Sequence, residues 1–204
     1  VVIGPNRIQA AKHLMENTDS NVILSDDGLQ HFSLGRDIEI LMIDGNRKFG
    51  NELLLPAGPL REPKSRIKTV DFTISSNRKW PSVAKYEMKY RPFKWVHMKS
   101  QKEYDIFDWP LKKEVNAVAG IGNPSNFFNL LKQLGFDISE YAFPDHHDFH
   151  SVDFEIMDNQ PTVMTEKDAI KCSFLDHTNY WYLKIEAEVS DNFEQDFLAE
   201  IKSK

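Results

Sequence analysis

Two short apolar stretches in the first quarter of this chain run straight into acidic residues, and that repetition constrains the fold more than any other feature. Val22-Ile23-Leu24-Ser25 leads into Asp26-Asp27-Gly28-Leu29-Gln30-His31, and Ile38 to Ile43 leads into Asp44-Gly45. Buried strands that end in carboxylates at the same edge describe a parallel sheet, whose carboxyl end is where α/β proteins place their ligands. A carboxylate there can hold Mg²⁺ against a phosphate chain. The acidic pair could instead cap a helix opened by Gly28-Leu29-Gln30, a role that explains one Asp and leaves the other over.

The remaining periodicities extend the α/β pattern. Pro5 stands where a helix starts, with Ile8, Ala11, Leu14 and Met15 at helical spacing. Asn21 to Ser25 reads as a short buried strand, and Val70 to Ser75 as another. Asn46 to Pro63 is turn-rich and reads as a long ordered loop. Tyr86 to Tyr90 and Trp95 to Met98 alternate polar with apolar and are broken by Arg91-Pro92, which predicts a two-stranded antiparallel ribbon. From Val115 onward, strands are expected at Val115–Ala119, Ile138–Phe143, Thr162–Thr165 and Tyr180–Ile185. Helices are expected at Ser125–Leu134, near Val152–Met157, from Glu166 and from Asn192. The expected division is 1–80, a linker over 81–114, and a smaller α/β domain over 115–204.

Composition narrows the classes. The single cysteine, Cys172, excludes an internal disulfide framework and a cysteine-rich zinc site, and suits a reducing compartment. No apolar run reaches bilayer-spanning length and no signal peptide opens the chain. The first residue is Val1, and Val1-Val2-Ile3-Gly4-Pro5 reads like the tail of a strand, so a fragment or a processed form is expected. The net charge of −6 is uneven: residues 61–102 hold twelve Lys/Arg against three acids, a surplus of +9. With Trp80, Tyr86, Tyr90, Phe93 and Trp95 interleaved, that stretch suits an anionic surface, or serves simply as a solvated face.

Four further words carry potential chemistry. Phe143-Pro144-Asp145-His146-His147-Asp148-Phe149-His150 packs three histidines among two acids, suited to a carboxylate-held base, a metal cluster or a polar turn. Thr165-Glu166-Lys167-Asp168 is a helix cap whose Lys167 could face a phosphate. Gly120-Ile121-Gly122-Asn123-Pro124 sets glycines before a helix N-terminus, without the third glycine of a dinucleotide fingerprint. Gly45 to Glu52 has the glycine spacing of a phosphate-binding loop, but Asn51 and Glu52 stand where lysine and Ser/Thr belong, so it is not one.

Taken in order, DDGLQH, DIEILMIDGNRKFGNELLLPAGPLREP, AGIGNPSNFF, FPDHHDF and MTEKDAIKC resemble the tetraacyldisaccharide 4′-kinase family of lipid A biosynthesis. The resemblance implies a P-loop-kinase-like parallel sheet core, incomplete at its N-terminus, and a smaller α/β domain joined by a two-stranded β ribbon. It implies transfer of the ATP γ-phosphate to the 4′-hydroxyl of a tetraacylated glucosamine disaccharide 1-phosphate, with Mg²⁺. The setting implied is the cytoplasmic face of the bacterial inner membrane, peripherally, against an anionic membrane surface, with no nucleic acid and no obligate protein partner.

By the same resemblance, Asp26 and Asp27 match the family's acidic pair for Mg²⁺ and phosphates, and Gln30 and His31 the rest of that motif. His146, beside Asp145, matches a histidine that supports the catalytic base from the second domain. Asn51, Arg61 and Glu62 lie in matching loops as nucleotide or substrate contacts. The family's phosphate-binding loop has no counterpart here, so this chain alone is expected to be inactive. A different reading of the same residues is a metal-dependent phosphoesterase, with Asp26, Asp27, Asp145, His146 and His147 holding two metals and no need for ATP.

Overall fold

A computed structural model describes residues 1–157, 159–175, 179–190 and 192–204. The chain folds into two compact units, residues 1–89 with 188–204, and residues 90–187. These units differ from the expected 1–80, 81–114 and 115–204: residues 81–114 are shared between the two units, and the C-terminal helix belongs to the first.

In the first unit, α1 (Arg7–Asn17) starts where Asn6 accepts hydrogen bonds from the backbone of Ile8 and Gln9, at 3.0 and 3.1 Å. Strands β1 (Ile40–Asp44) and β2 (Phe72–Ser76) pair in parallel, Ile40 opposite Phe72 and Asp44 opposite Ser76. Next to β2, again parallel, lies the start of β3 (Tyr86–His97). The C-terminal α4 (Asn192–Ser203) lays Phe193 and Phe197, one helical turn apart, against Phe72, Tyr86 and Met88. That aromatic packing is why the last helix joins this unit.

Two expectations fail in the first half of the chain. Asn21 to Ser25 forms no strand: its backbone has no ladder partner among the described residues, and Val22, Ile23 and Leu24 are exposed. Apolar content alone does not make a strand; a paired neighbour does. The predicted ribbon of Tyr86–Tyr90 against Trp95–Met98 is also not formed, since both halves belong to the one strand β3. Pro92 falls between the residues that pair with β2 and those that pair with β4 (Glu103–Asp105), where a missing N–H costs no bond of either ladder. The antiparallel partner is β4, Trp95 lying opposite Tyr104.

In the second unit the strand order is β4, β3, β8 (Tyr180–Val189), β7 (Thr162–Thr165), β5 (Glu114–Ala119), β6 (Asp137–Ala142). Strand β5 pairs in parallel with both β6 and β7, and β7 in parallel with β8. It is buried on both faces, which explains its small and β-branched residues, with Asn116 as its one buried polar member. Val115, Ala117 and Ala119 meet Phe127, Phe128 and Leu131 of α2 (Pro124–Gln133). Val118 faces Met164, Phe149, Phe154 and Cys172 on the other side. The chain leaves β5 through α2 to β6 and then returns to the far side of β5 as β7. The carboxyl end of β5 is therefore a topological switch point. The helix expected near Val152–Met157 shrinks to one 3₁₀ turn, Ser151–Phe154, while α3 (Glu166–Lys171) forms as expected.

Candidate active site

The acidic loop of the first unit is held by charge. Asp27 sits in the left-handed region, φ +49°, and Arg61 Nη1 donates to both its oxygens, at 2.6 Å to Oδ1 and 2.8 Å to Oδ2. This guanidinium contact holds the Asp27 carboxyl below its ordinary range. Gln30 Nε2 donates to Glu62 Oε1 at 2.6 Å, so the two consecutive residues Arg61 and Glu62 each tie down one member of the DDGLQH word. Glu62 in turn accepts from Arg66 at 3.1 Å, and Arg66 also pairs with Glu39. Arg36 closes the circuit by pairing with Glu39 at 2.9 Å and donating to the carbonyls of Gly28 and Leu29, both at 2.9 Å. The loop is thus fixed by a circuit of five charged residues, Arg36, Glu39, Arg61, Glu62 and Arg66.

Asp26 remains exposed and forms no ion pair among the described residues. His31 is exposed as well, its backbone closing a turn onto Gly28. Asn51 is engaged at both ends of its amide, Nδ2 donating to Ala57 O at 2.8 Å and Oδ1 accepting from Leu53 N at 3.2 Å. It braces the long loop from within. Asp44 is a turn cap: Oδ1 accepts from Asn46 and Arg47, and Oδ2 from Asn77. The second acidic strand end is structural.

In the second unit three parallel strands end together. Their following segments bring Gly120, Asp145, Lys167 and Asp168 to one edge. Asp145 lies 3.6 Å from Lys167 Nζ and 3.9 Å from the ring of His146. His146 is exposed and in the left-handed region, φ +61°. The tighter Asp–His pair is one that sequence spacing did not single out, His147 Nε2 with Asp153 Oδ2 at 3.0 Å. His150 is exposed, near Asp148.

The Gly120 turn is not an open anion cradle. Its N–H already donates to buried Asp168 Oδ2 at 2.9 Å, and Asp145 lies beside Gly122. Asp168, read from the sequence only as a partner in capping, also receives Thr165 Oγ1 at 2.7 Å and sits 3.4 Å from Lys171 Nζ. Its carboxylate ties the end of β5 to the start of α3.

Among the described residues, no group of three or more His, Cys, Asp or Glu could hold a metal ion. The two-metal hydrolase reading of Asp26, Asp27, Asp145, His146 and His147 therefore finds no support. Also among the described residues, no helix is long and apolar enough to cross a membrane.

Comparison with known proteins gives the family and the fold. Residues 1–202 match the family described as tetraacyldisaccharide-1-P 4′-kinase. A tetraacyldisaccharide 4′-kinase of Nitrosococcus oceani is 45% identical over 197 residues, 95% of this chain and 56% of that protein. The Legionella pneumophila (strain Corby) enzyme of the same name is 45% identical over 97% of this chain and 59% of its own. This chain therefore spans a little over half the length of these relatives. Among solved structures, LpxK from Aquifex aeolicus in complex with ATP superposes with a TM-score of 0.74 at 26% identity, covering 95% of this chain and 61% of that one. The fold is accordingly the mixed α/β, parallel-dominated kind of that structure, and the chain belongs to the tetraacyldisaccharide-1-P 4′-kinase family.

Proposed function

We propose that this chain serves the ATP-dependent phosphorylation of the 4′-hydroxyl of a tetraacylated glucosamine disaccharide 1-phosphate, in lipid A biosynthesis. The observation that carries the reading is the family match over residues 1–202, which takes in both the acidic loop and the histidine loop. Relatives bear the name of that kinase, and the solved structure of similar fold is described as a complex with ATP.

The residues present fit a magnesium ion. Mg²⁺ is held by one or two carboxylates together with substrate phosphates. Asp26 offers an exposed carboxylate, and Asp27 beside it is ionised and oriented by Arg61. When bound there, the ion would neutralise charge on the phosphate chain. The protein's own part is to place the ligands: Arg61 and Glu62 fix Asp27 and Gln30, and Arg36 and Arg66 fix the backbone behind them. His146, flanked by Asp145, supports removal of the acceptor hydroxyl's proton. His31 and Asn51 complete the nucleotide-side loops, Asn51 by bracing. The basic stretch 61–102 faces an anionic surface at the cytoplasmic side of the inner membrane, where the lipid acceptor resides.

The test is transfer of the γ-phosphate from labelled ATP to tetraacyldisaccharide 1-phosphate by the full-length protein, with and without Mg²⁺. Labelled lipid that requires the ion, and that is lost in Asp27→Asn, is expected. Hydrolysis of a phosphate ester without ATP, and no labelled lipid, would overturn the proposal.

A further inference from the structure

Adjacent histidines in the 143–150 loop are treated in opposite ways. His146 is displayed, its ring exposed and its backbone left-handed. His147 is half-buried and held by several contacts. Its ring stacks on Phe143 with centroids 4.7 Å apart and planes at 27°, and meets Phe149 at 4.8 Å and 86°. Its Nε2 lies 3.0 Å from Asp153 Oδ2, and its carbonyl accepts from Lys171 Nζ at 3.3 Å.

The proton in the His147–Asp153 contact can be assigned. Asp153 Oδ2 also accepts the backbone N–H of His150, at 2.9 Å. That bond first, and the His147 bond second, hold the Asp153 carboxyl below its ordinary range. An ionised carboxylate only accepts, so His147 Nε2 carries the hydrogen.

A residue with a β-carbon keeps a left-handed backbone only where its surroundings impose it. For His146 those surroundings are the turn from Pro144 to His147, closed by His147 N donating to Pro144 O at 3.1 Å, and the anchorage of His147 itself. We propose that the His147–Asp153 pair is a positioning latch: it locks the loop in the one conformation that presents His146. This rests on the reading that His146 serves phosphoryl transfer. His147 and Asp153 act through His146 and need touch no substrate.

Packing and hydrogen bonding at position 147 separate cleanly. Phenylalanine there can stack between Phe143 and Phe149 but cannot donate; glutamine can donate to Asp153 but cannot stack. In the full-length protein, His147→Phe and Asp153→Asn are each expected to lower kcat roughly tenfold to hundredfold, the scale of a misplaced reacting group, with KM for ATP unchanged. His147→Gln should recover most of the rate. Nitrogen NMR of the imidazoles should show the His146 signals moving in Asp153→Asn. Wild-type rates in His147→Phe and Asp153→Asn, alongside a slow His146→Ala, would overturn the latch. A His146→Ala variant as fast as wild type would instead overturn the reading of His146 on which it rests.

Discussion

Arg61 holds Asp27 through a single nitrogen, Nη1, which reaches both carboxylate oxygens at 2.6 and 2.8 Å. Both side chains are more than half exposed, 56% and 65%. Water and salt screen such a pair, so it adds little to folding. Its value lies in aiming: a carboxylate gripped at one point keeps its direction and its charge.

Breaking this pair should therefore separate stability from activity. Arg61→Ala and Asp27→Asn are expected to leave the thermal midpoint almost unmoved while lowering lipid phosphorylation by about a hundredfold, the scale of a lost electrostatic contact in a transition state. The Arg61 hydrogen bond keeps Asp27 ionised to lower pH than an ordinary carboxyl, and the charge is lost only as pH falls through that lowered value. In Arg61→Ala the acid limb of the pH–rate profile should accordingly move to higher pH. Differential scanning fluorimetry and a pH series of initial rates check both halves.

Asp168 should behave in the opposite way. It is fully buried and serves Gly120 N, Thr165 Oγ1 and Lys171 Nζ together. Asp168→Ala strands a buried N–H and removes the partner of a half-buried ammonium, and is expected to cost roughly 3 kcal/mol. Urea unfolding, read as a lower midpoint with unchanged slope, measures it.

Gly45 marks another point without tolerance. A β-carbon there would stand 1.8 Å from the carbonyl oxygen of Arg78, and 3.1 Å from that of Ser76, which accepts the Gly45 N–H. Both obstacles are backbone and cannot rotate aside. Gly45→Ala is expected to destabilise by about 3 kcal/mol, at the upper end for overpacking, in the same urea experiment.

Cys172 is the single thiol of the chain, fully buried, and burial pushes its pKa up to about 12. A thiol in that state holds almost no thiolate at neutral pH. It should resist a disulfide reagent such as Ellman's in the folded protein and react fully in denaturant. Fast labelling of the native protein would contradict the burial.

Much of this architecture was legible because it rests on local signals. The spacing of Ile8, Ala11 and Leu14 produces α1, and the apolar run ending at Ala119 followed by Gly120 to Pro124 produces β5 and the entry to α2. What could not be read depends on partners remote in sequence. Val22 to Leu24 has strand composition but no ladder partner among the described residues, and Pro92 looks like a break yet falls where neither β2 nor β4 asks for its N–H. The acidic loop was recognisable as a word, whereas its fastening by Arg36, Arg61, Glu62 and Arg66 was not. Those side chains meet through folding alone. The histidine loop shows the same limit: density flagged all three imidazoles, but only the fold reveals that Asp153 selects His147.

The tryptophans fall unevenly. In the second unit Trp109 lies against both Trp95 and Trp181, with ring centroids 4.9 Å apart in each pair. Trp80 belongs to the first unit and rests on Phe49, at 4.8 Å. The trio should give an exciton couplet in far-ultraviolet circular dichroism, while a Trp80→Phe variant isolates its emission by difference. The molecule thus carries two separable optical reporters, one for each half of its fold, without an added dye.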